Sequence, residues 1–553
     1  MSEQKLKRLL EILPGVTSWS ILLAPIYFSS VMPLVVAGYI IVFDLYWLFK
    51  SLIYGAHLLA GYFHMERDKK INWLQRARGT KEPFSLLQKY EEGLSKVTGL
   101  ERNRLKEEIV ALKEYILRPS GHLDFDDIHH VVILPNYKEE LEVLESSIVA
   151  AMRSNYPNDK IIIILAMEAR EGEGAEIRAQ YIMNKYGTQF KKVLATFHPD
   201  GIVGEIRAKG ANVYHAMCEV RKLVDDFGMA HKNVIVSTFD GDTQPSSDYF
   251  ASLTYNYITN LERRHRNFQP IPLFNNNIYD APALNRIIAF SSSFWQMIES
   301  TRPYRLINFS AQAQGLETLV DVDFYDRTVV SDDSRQYFRA FFRYNGNFKS
   351  VPLFTPVYMD AVLANGFWAT LKAQYEQKRR WAYGLENFPY FVISALKHKE
   401  IKFSQKLIHT YRLFEGHVSW ATSSLVIAGV IWLPSLLNPE FRETVFAYNL
   451  PVIARTILTM TWIGIIISTG VTLKLLPKRP TNFPKLKSLE LLFQWVLVPI
   501  SALGFGSLPA LDAETRLLFG RYMGFKVTAK KRGRLSRGLK IKQVPQREVG
   551  ARV

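Results

Sequence analysis

Between Thr17 and His64 the chain carries only two charged side chains, Asp44 and Lys50. One helical crossing of a bilayer needs about 20 apolar residues, so this stretch holds two spans, with a turn expected near Ser29–Pro33. Lys5, Lys7 and Arg8 precede it; Arg67, Lys69, Lys70, Arg76 and Arg78 follow. Basic flanks stay on the cytoplasmic side, so both ends are expected there. Two more apolar runs, Ser419–Leu437 and Pro451–Leu476, are joined by an external-type loop, Asn438–Leu450. Lys474, Lys478, Arg479, Lys485 and Lys487 then bring the chain back inside. A fifth run, Leu489–Leu511, is broken by Pro499, Gly504, Gly506 and Pro509. A full crossing there would place a basic tail outside, so a re-entrant or interfacial segment is expected. Asp44 reads either as an intramembrane functional group or as a helix–helix contact. The N-terminus has no cleavable signal pattern.

Membrane spans alone do not explain a chain that is 48% hydrophobic and still 22% charged. A soluble domain must be joined to them. The single cysteine, Cys218, excludes an internal disulfide and fits a reducing compartment. Residues 521–553 hold 11 Lys/Arg against one acid, Glu548, and so supply +10 of the net charge of +17. Beside membrane segments, such a tail suits anionic lipid better than nucleic acid.

Residues 65–127 read as a charged helical connector. Three short apolar runs come next, and each ends in a polar cluster: Val131–Pro135 before Asn136-Tyr137-Lys138-Glu139, Ile161–Ala166 before Met167-Glu168, and Asn233–Thr238 before Phe239-Asp240-Gly241-Asp242. Buried strands alternating with helices predict a parallel α/β sheet, which binds ligands at the carboxyl ends of its strands. Asp240 and Asp242 form a D-x-D pair able to hold Mg²⁺ or Mn²⁺ and, through it, phosphates. Ser331-Asp332-Asp333 offers a general base or, equally, a helix N-cap. Lys209 falls at a predicted helix start, where a cation meets phosphate or simply solvent. Gln377, Arg380 and Trp381 fit Q-x-x-R-W. Helical offsets of three and four put an amide, a guanidinium fork and a flat ring on one face, suited to a diphosphate and a sugar, or to a membrane surface. His129-His130 lacks metal-ligand spacing, and the chain has no phosphate-loop or G-x-S-x-G motif.

In this order the motifs resemble those of the membrane-integrated family 2 glycosyltransferases, the group of cellulose, chitin and hyaluronan synthases. The resemblance spans roughly 130–395. Phe525-Lys526-Val527-Thr528-Ala529-Lys530 also reads as F-x-V-T-x-K, the gating-loop motif of bacterial cellulose synthases. The resemblance implies an α/β nucleotide-sugar-binding (GT-A-like) domain with a mostly parallel sheet, inserted between α-helical transmembrane segments. The expected segments are a cytoplasmic N-terminus over 1–16, two spans over 17–64, the connector over 65–127 and the catalytic domain over 128–395. Two spans over 396–476, a loop with the re-entrant segment over 477–520, and the gating-like motif with basic tail over 521–553 complete the chain.

The resemblance also implies roles. Pro135, Tyr137, Glu139 and Glu168 line the nucleotide pocket, and Lys209 meets the nucleotide. Asp240 and Asp242 hold the donor diphosphate through Mg²⁺ or Mn²⁺. Asp333, beside Asp332, is the base. Arg380, Thr528 and Lys530 meet the diphosphate; Gln377 and Trp381 meet the acceptor. The activity implied is inverting transfer from a nucleotide-sugar, a UDP-sugar foremost, to a growing polysaccharide at the cytoplasmic membrane face. Its partners are the donor, a glycan or lipid-linked acceptor, membrane lipid, and a membrane subunit or further copies to complete a channel. Two features depart from the family pattern: the second strand ends in Glu168 rather than paired aspartates, and Asn308-Phe309-Ser310-Ala311-Gln312 matches the acceptor segment only loosely. The spans are also few for a secreting synthase. Transfer of one sugar to a lipid carrier or glycolipid is therefore the second reading, and an inactive membrane scaffold the third.

Overall fold

The computed structural model describes residues 2–481, 483–525 and 528–533. Lys526 and Val527 of the F-x-V-T-x-K motif, and the basic tail from residue 534, lie outside the described residues.

Five described helices are long and apolar enough to cross a membrane: Glu3–Val31, Pro33–Asp68, Phe403–Leu437, Val445–Leu475 and Leu489–Leu518. Pro33 opens the second helix, where its missing N–H is one the first turn leaves unpaired anyway. That helix turns Leu34, Val42, Phe49 and Ile53 outward and exposed, which suits lipid and would be a liability in water. The fifth run is helical throughout but bent by a 3₁₀ turn, Gln494–Leu497, and a π-helical turn, Ala502–Ser507, that contains both of its glycines. Its length and composition match those of the other four.

The strands are β1 (His129–Asn136), β2 (Ile161–Glu168), β3 (Lys192–His198), β4 (Val234–Thr238), β5 (Gln244–Pro245), β6 (Arg266–Phe274), β7 (Ala313–Gly315) and β8 (Lys349–Met359). They form one sheet in the order β3-β2-β1-β4-β7-β6-β8-β5. The continuous apolar runs of β1 and β2 arise from burial on both faces. Val131, Ile133, Ile162 and Ile164 pack against Val213, Met217 and Val220 of helix Lys209–Asp226. Their alternates Val132, Leu134, Ile163 and Leu165 pack with Leu144 and Ile148 of helix Leu141–Met152.

The sheet is mixed: its long pairings are parallel, as expected of a mostly parallel sheet, and its short ones are antiparallel. β1–β2, β1–β4, β2–β3 and β6–β8 pair in parallel; β4–β7, β6–β7 and β5–β8 pair antiparallel. A parallel neighbour needs a crossover element between strands. Between β6 and β7 the connecting helix, Ala283–Ser300, packs with β6 and helix Pro33–Asp68, and the short β7 then enters beside β4 in the opposite sense.

Leu58 and Met65 of helix Pro33–Asp68 share a buried cluster with Ile271 and Leu273 of β6 and with Phe294 and Met297. The two helices approach so closely at Gly61 that a Cβ there would lie 2.9 Å from the Met297 carbonyl oxygen. Arg67 and Arg76 share Glu108 of helix Gly99–Leu117 at 2.6 and 2.7 Å, which ties the end of helix Pro33–Asp68 to the connector. Gly61→Val is expected to lower stability by about 1–3 kcal/mol through overpacking. Gly38→Ala, whose Cβ would meet nothing within 4 Å, is expected to be neutral. Thermal unfolding of the two variants in detergent checks this; equal midpoints would show that the Gly61 contact is dispensable.

Candidate active site

β4 ends at Thr238, and the turn after it carries the D-x-D pair into the crevice at the carboxyl edge of the sheet. All four carboxylate oxygens are engaged. Asp240 Oδ1 accepts from Lys209 Nζ (3.1 Å) and its Oδ2 from Ser310 Oγ (2.9 Å). Asp242 is fully buried; its Oδ2 accepts from the Asp360 N–H (2.7 Å), and its Oδ1 pairs with Lys530 Nζ. Burial opposes ionisation of Asp240, but Lys209 and Lys530 outweigh it and hold that carboxyl well below the ordinary range. Glu139 lies in the same field, and burial pushes its carboxyl up to about 8.

Lys209 opens its helix and reaches both acidic motifs. Its ammonium donates to Asp240 and to both oxygens of Asp333 (3.2 and 3.3 Å). Gly210 permits this: a Cβ there would sit 2.5 Å from the Asp326 carbonyl oxygen and 3.0 Å from the Asp332 Cβ. Asp333 also accepts from Gln312 Nε2 (3.3 Å) and keeps 22% of its side-chain surface open to the crevice. Asp332 points inward, and its Oδ2 is buried without a partner. Burial pushes its carboxyl up to about 7.

Ser331 precedes helix Asp332–Arg343 and makes no side-chain cap for it. Its hydroxyl donates to Glu386 Oε1 (2.7 Å), which also accepts the N–H groups of Val330 (2.9 Å) and Ser331 (2.8 Å). The turn just after Q-x-x-R-W therefore fixes the loop that presents Asp333.

Within Q-x-x-R-W itself, on helix Phe367–Ala382, the three side chains diverge. Gln377 is buried in an amide chain, accepting from Gln374, whose own oxygen accepts from Asn285 (3.0 Å each). Arg380 donates to Thr528 Oγ1 (3.2 Å) and stacks on Phe525 (4.8 Å). Trp381 lies beside Phe274 (6.1 Å between ring centroids), with the Lys378 ammonium over its ring (4.6 Å). At the other end of the crevice, Pro135 is in register with Ala166, and Tyr137 lies under the Arg170 guanidinium (4.3 Å). Glu168 turns toward β3, to His198 (3.4 Å).

The crevice thus gathers Lys209, Asp240, Asp242, Asp333, Glu139 and Lys530, with Arg380 and Thr528 adjoining. It keeps Glu168 with His198 and withdraws Gln377 into the packing. Sequence reading missed Asp360, Glu386, Arg532 and His198. Asp360 comes directly after β8 much as Asp240 comes after β4, and Arg532 caps its carboxylate (3.1 and 3.2 Å). Leu363 pairs with the tail backbone on either side of Lys530 (3.3 and 3.1 Å), which seats residues 529–532 against this edge.

The described residues contain no cluster of three or more His, Cys, Asp or Glu arranged for a metal. The Asp240–Asp242 pair nevertheless has the hard oxygen chemistry of a Mg²⁺ or Mn²⁺ site, which commonly takes one or two carboxylates and fills its remaining positions with phosphate and water. Such an ion would exchange with the Lys530 ammonium on Asp242.

No protein-family model matches the chain, and no curated protein does. Among solved structures, a mannosyltransferase from Pyrobaculum calidifontis in complex with GDP-Man and Mn²⁺ is 14% identical, covering 74% of this chain and 95% of that one, with a TM-score of 0.36. S. aureus TarS 1-349 in complex with UDP-GlcNAc is 10% identical, covering 65% and 97%, with a TM-score of 0.32. GalNAc-T7 with UDP, GalNAc and Mn²⁺ is 9% identical, covering 54% and 59%, with a TM-score of 0.31. Likenesses this distant carry no functional weight; the chain's own residues do.

The raised Asp332 carboxyl has a consequence for stability. Its folded-state value lies above its ordinary one, so the stability it contributes is complete below the ordinary carboxylate range and is lost as pH rises through about 7. Wild-type thermal midpoints are expected to fall by a few degrees between mildly acidic and mildly alkaline pH, and Asp332→Asn to flatten that slope. Identical slopes would place the ionisation elsewhere.

Proposed function

We propose that the chain is an inverting, metal-dependent membrane glycosyltransferase that moves a sugar from a nucleotide-sugar, foremost a UDP-sugar, to a growing polysaccharide. One observation carries the reading: the Lys209 ammonium joins the acid of the D-x-D turn to the acid of Ser331-Asp332-Asp333 at the carboxyl edge of the sheet. In this reading a diphosphate and a nucleophile meet at this edge, where α/β sheets bind their ligands. The basic flanks of the apolar helices support a cytoplasmic position for this edge and, with the fifth run re-entrant or interfacial, for both termini.

In this reading Asp333 takes the proton of the acceptor hydroxyl as that oxygen attacks the anomeric carbon. The bond from that carbon to the diphosphate breaks on the opposite side, which inverts the centre and releases the nucleoside diphosphate. Lys209 and Arg380 stabilise the charge that grows on the leaving group. Asp240 and Asp242 would hold Mg²⁺ or Mn²⁺, which supplies further charge neutralisation when bound. Tyr137 and Glu168 bound the nucleotide end of the crevice, and Trp381 offers an apolar ring to the acceptor sugar. With only five described apolar helices, transfer of a single sugar to a lipid acceptor is the second reading.

The test is a donor screen on purified full-length protein with Mn²⁺ or Mg²⁺, reading nucleotide release and product size, with Asp333→Asn in parallel. Release from one donor is expected, with kcat reduced about 10²–10⁴-fold in the variant and little change in donor KM. A product ladder indicates polymerisation and a single addition the lipid acceptor. Undiminished turnover in Asp333→Asn would falsify the assignment of the base.

A further inference from the structure

Lys378, the second residue of Q-x-x-R-W, is a cation without an acid. It is half-buried on helix Phe367–Ala382; its Nζ donates to Ser292 Oγ (3.0 Å) and lies over the Trp381 ring (4.6 Å). Among the described residues no carboxylate pairs with it. Burial pulls its ammonium down to about 8, and no neighbouring charge opposes that pull. The next two residues differ: Arg379 pairs with Asp512 (2.8 Å), and Arg380 lies in the field of Asp240, Asp332 and Asp333. An ammonium held against a hydroxyl and a ring, with no counter-charge, costs stability and leaves a place for a ligand's anion.

Two indoles flank it. Asn285 meets Gln374 and Ser292 meets Lys378, so helices Ala283–Ser300 and Phe367–Ala382 advance in the same sense. Three residues beyond the second pair stand Trp295 on one helix and Trp381 on the other. An offset of three keeps each indole on the face that carries the Ser292–Lys378 contact. Trp295 is exposed and packs edge-on against Phe309 (4.7 Å), whose neighbour Ser310 binds Asp240. Trp381 lies beside Phe274, whose N–H donates to Ser293 Oγ (3.1 Å). The unpaired ammonium is thus joined to the D-x-D turn by a short run of aromatic contacts.

We propose that Lys378 selects an acceptor whose terminal sugar is a uronic acid, pairing with its carboxylate while the sugar ring lies on Trp381. The proposal rests on the glycosyltransferase reading and deepens it by naming the acceptor class. A neutral sugar on the ring face under the ammonium takes away the cation–π contact and returns only hydroxyls. A uronic acid returns a charge-assisted hydrogen bond in a half-buried place, where it is screened less than in water. Its carboxylate projects from the edge of the sugar, so the apolar face stays free to stack. A lipid phosphate would supply the charge but no ring for Trp381, so the pairing of ammonium and indole favours the sugar acid.

The test is ligand-observed NMR titration of full-length protein in detergent, at neutral pH and about 0.15 M salt. The probes are oligosaccharides of glucose, galactose and mannose, each beside the same chain oxidised at C6 to the uronic acid. In at least one pair the acid is expected to bind about tenfold more tightly than its neutral partner. The net charge of +17 attracts any anion, so the deciding comparison is with Lys378→Met, which is expected to lose the preference. Lys378→Arg is expected to keep most of it. Lys378→Met is also expected to leave the thermal midpoint unchanged or raised, because it removes an unpaired charge from a half-buried place. A lowered midpoint with the preference intact would make Lys378 structural and overturn the inference. Equal binding within every pair would overturn it too, and leave the glycosyltransferase reading to the donor screen, which does not depend on Lys378. A polyprenyl phosphate that binds through Lys378 where no uronic acid does would overturn it in favour of a lipid acceptor.

Discussion

Lys209 stands between two half-buried acids that like charge would otherwise drive apart. An uncompensated carboxylate in such a place costs several kcal/mol, and removing one partner of a buried pair typically costs about 3–5 kcal/mol. The ammonium makes it possible for Asp240 and Asp333 to share one crevice. Much of the local architecture serves this contact. Gly210 lets the Lys209 helix start against the Asp332 helix, Ser310 takes one oxygen of Asp240, and Glu386 pins the loop just before the helix whose first turn carries Asp333.

The same crevice is bolted to the long apolar helices. β6 lies against helix Ala283–Ser300, which lies against helix Pro33–Asp68, in one continuous apolar cluster. On the other side, helix Phe367–Ala382 is tied to the fifth apolar helix through Arg379 and Asp512 (2.8 Å). The site is thus gripped from two directions by segments whose outward faces suit lipid, and packed side chains rather than a linker join it to them.

What could be read from the sequence depended on burial. β1, β2 and β4 are covered on both faces and show as unbroken apolar runs, so their carboxyl ends, and with them Asp240, Asp242 and Glu168, were legible. β3 alternates in burial, and β6 and β8 carry Pro270, Pro272, Pro352 and Pro356, which argue against interior strands; the β6–β8 register shifts between Pro270 and Pro272 to accommodate them. Asp360 was missed because its strand was missed. Lys209, Asp240 and Asp333 each stood out as residues, but contacts across 31 and 124 positions have no local signature. Gln377 shows the opposite failure: helical spacing gave its face, but only packing showed that the face is turned inward.

The seated tail changes what binding at this edge means. Lys530 and Arg532 bring their own positive charge to Asp242 and Asp360, on the same covalent chain and a few residues apart. A cation arriving at Asp242 therefore replaces one already present instead of neutralising a bare acid. A divalent ion in place of an ammonium raises the net charge of the crevice by one unit, and the driving force is a difference between two ion pairs. Because the lysine is tethered, its local concentration is independent of how much protein or salt is in solution, so this competitor cannot be diluted away.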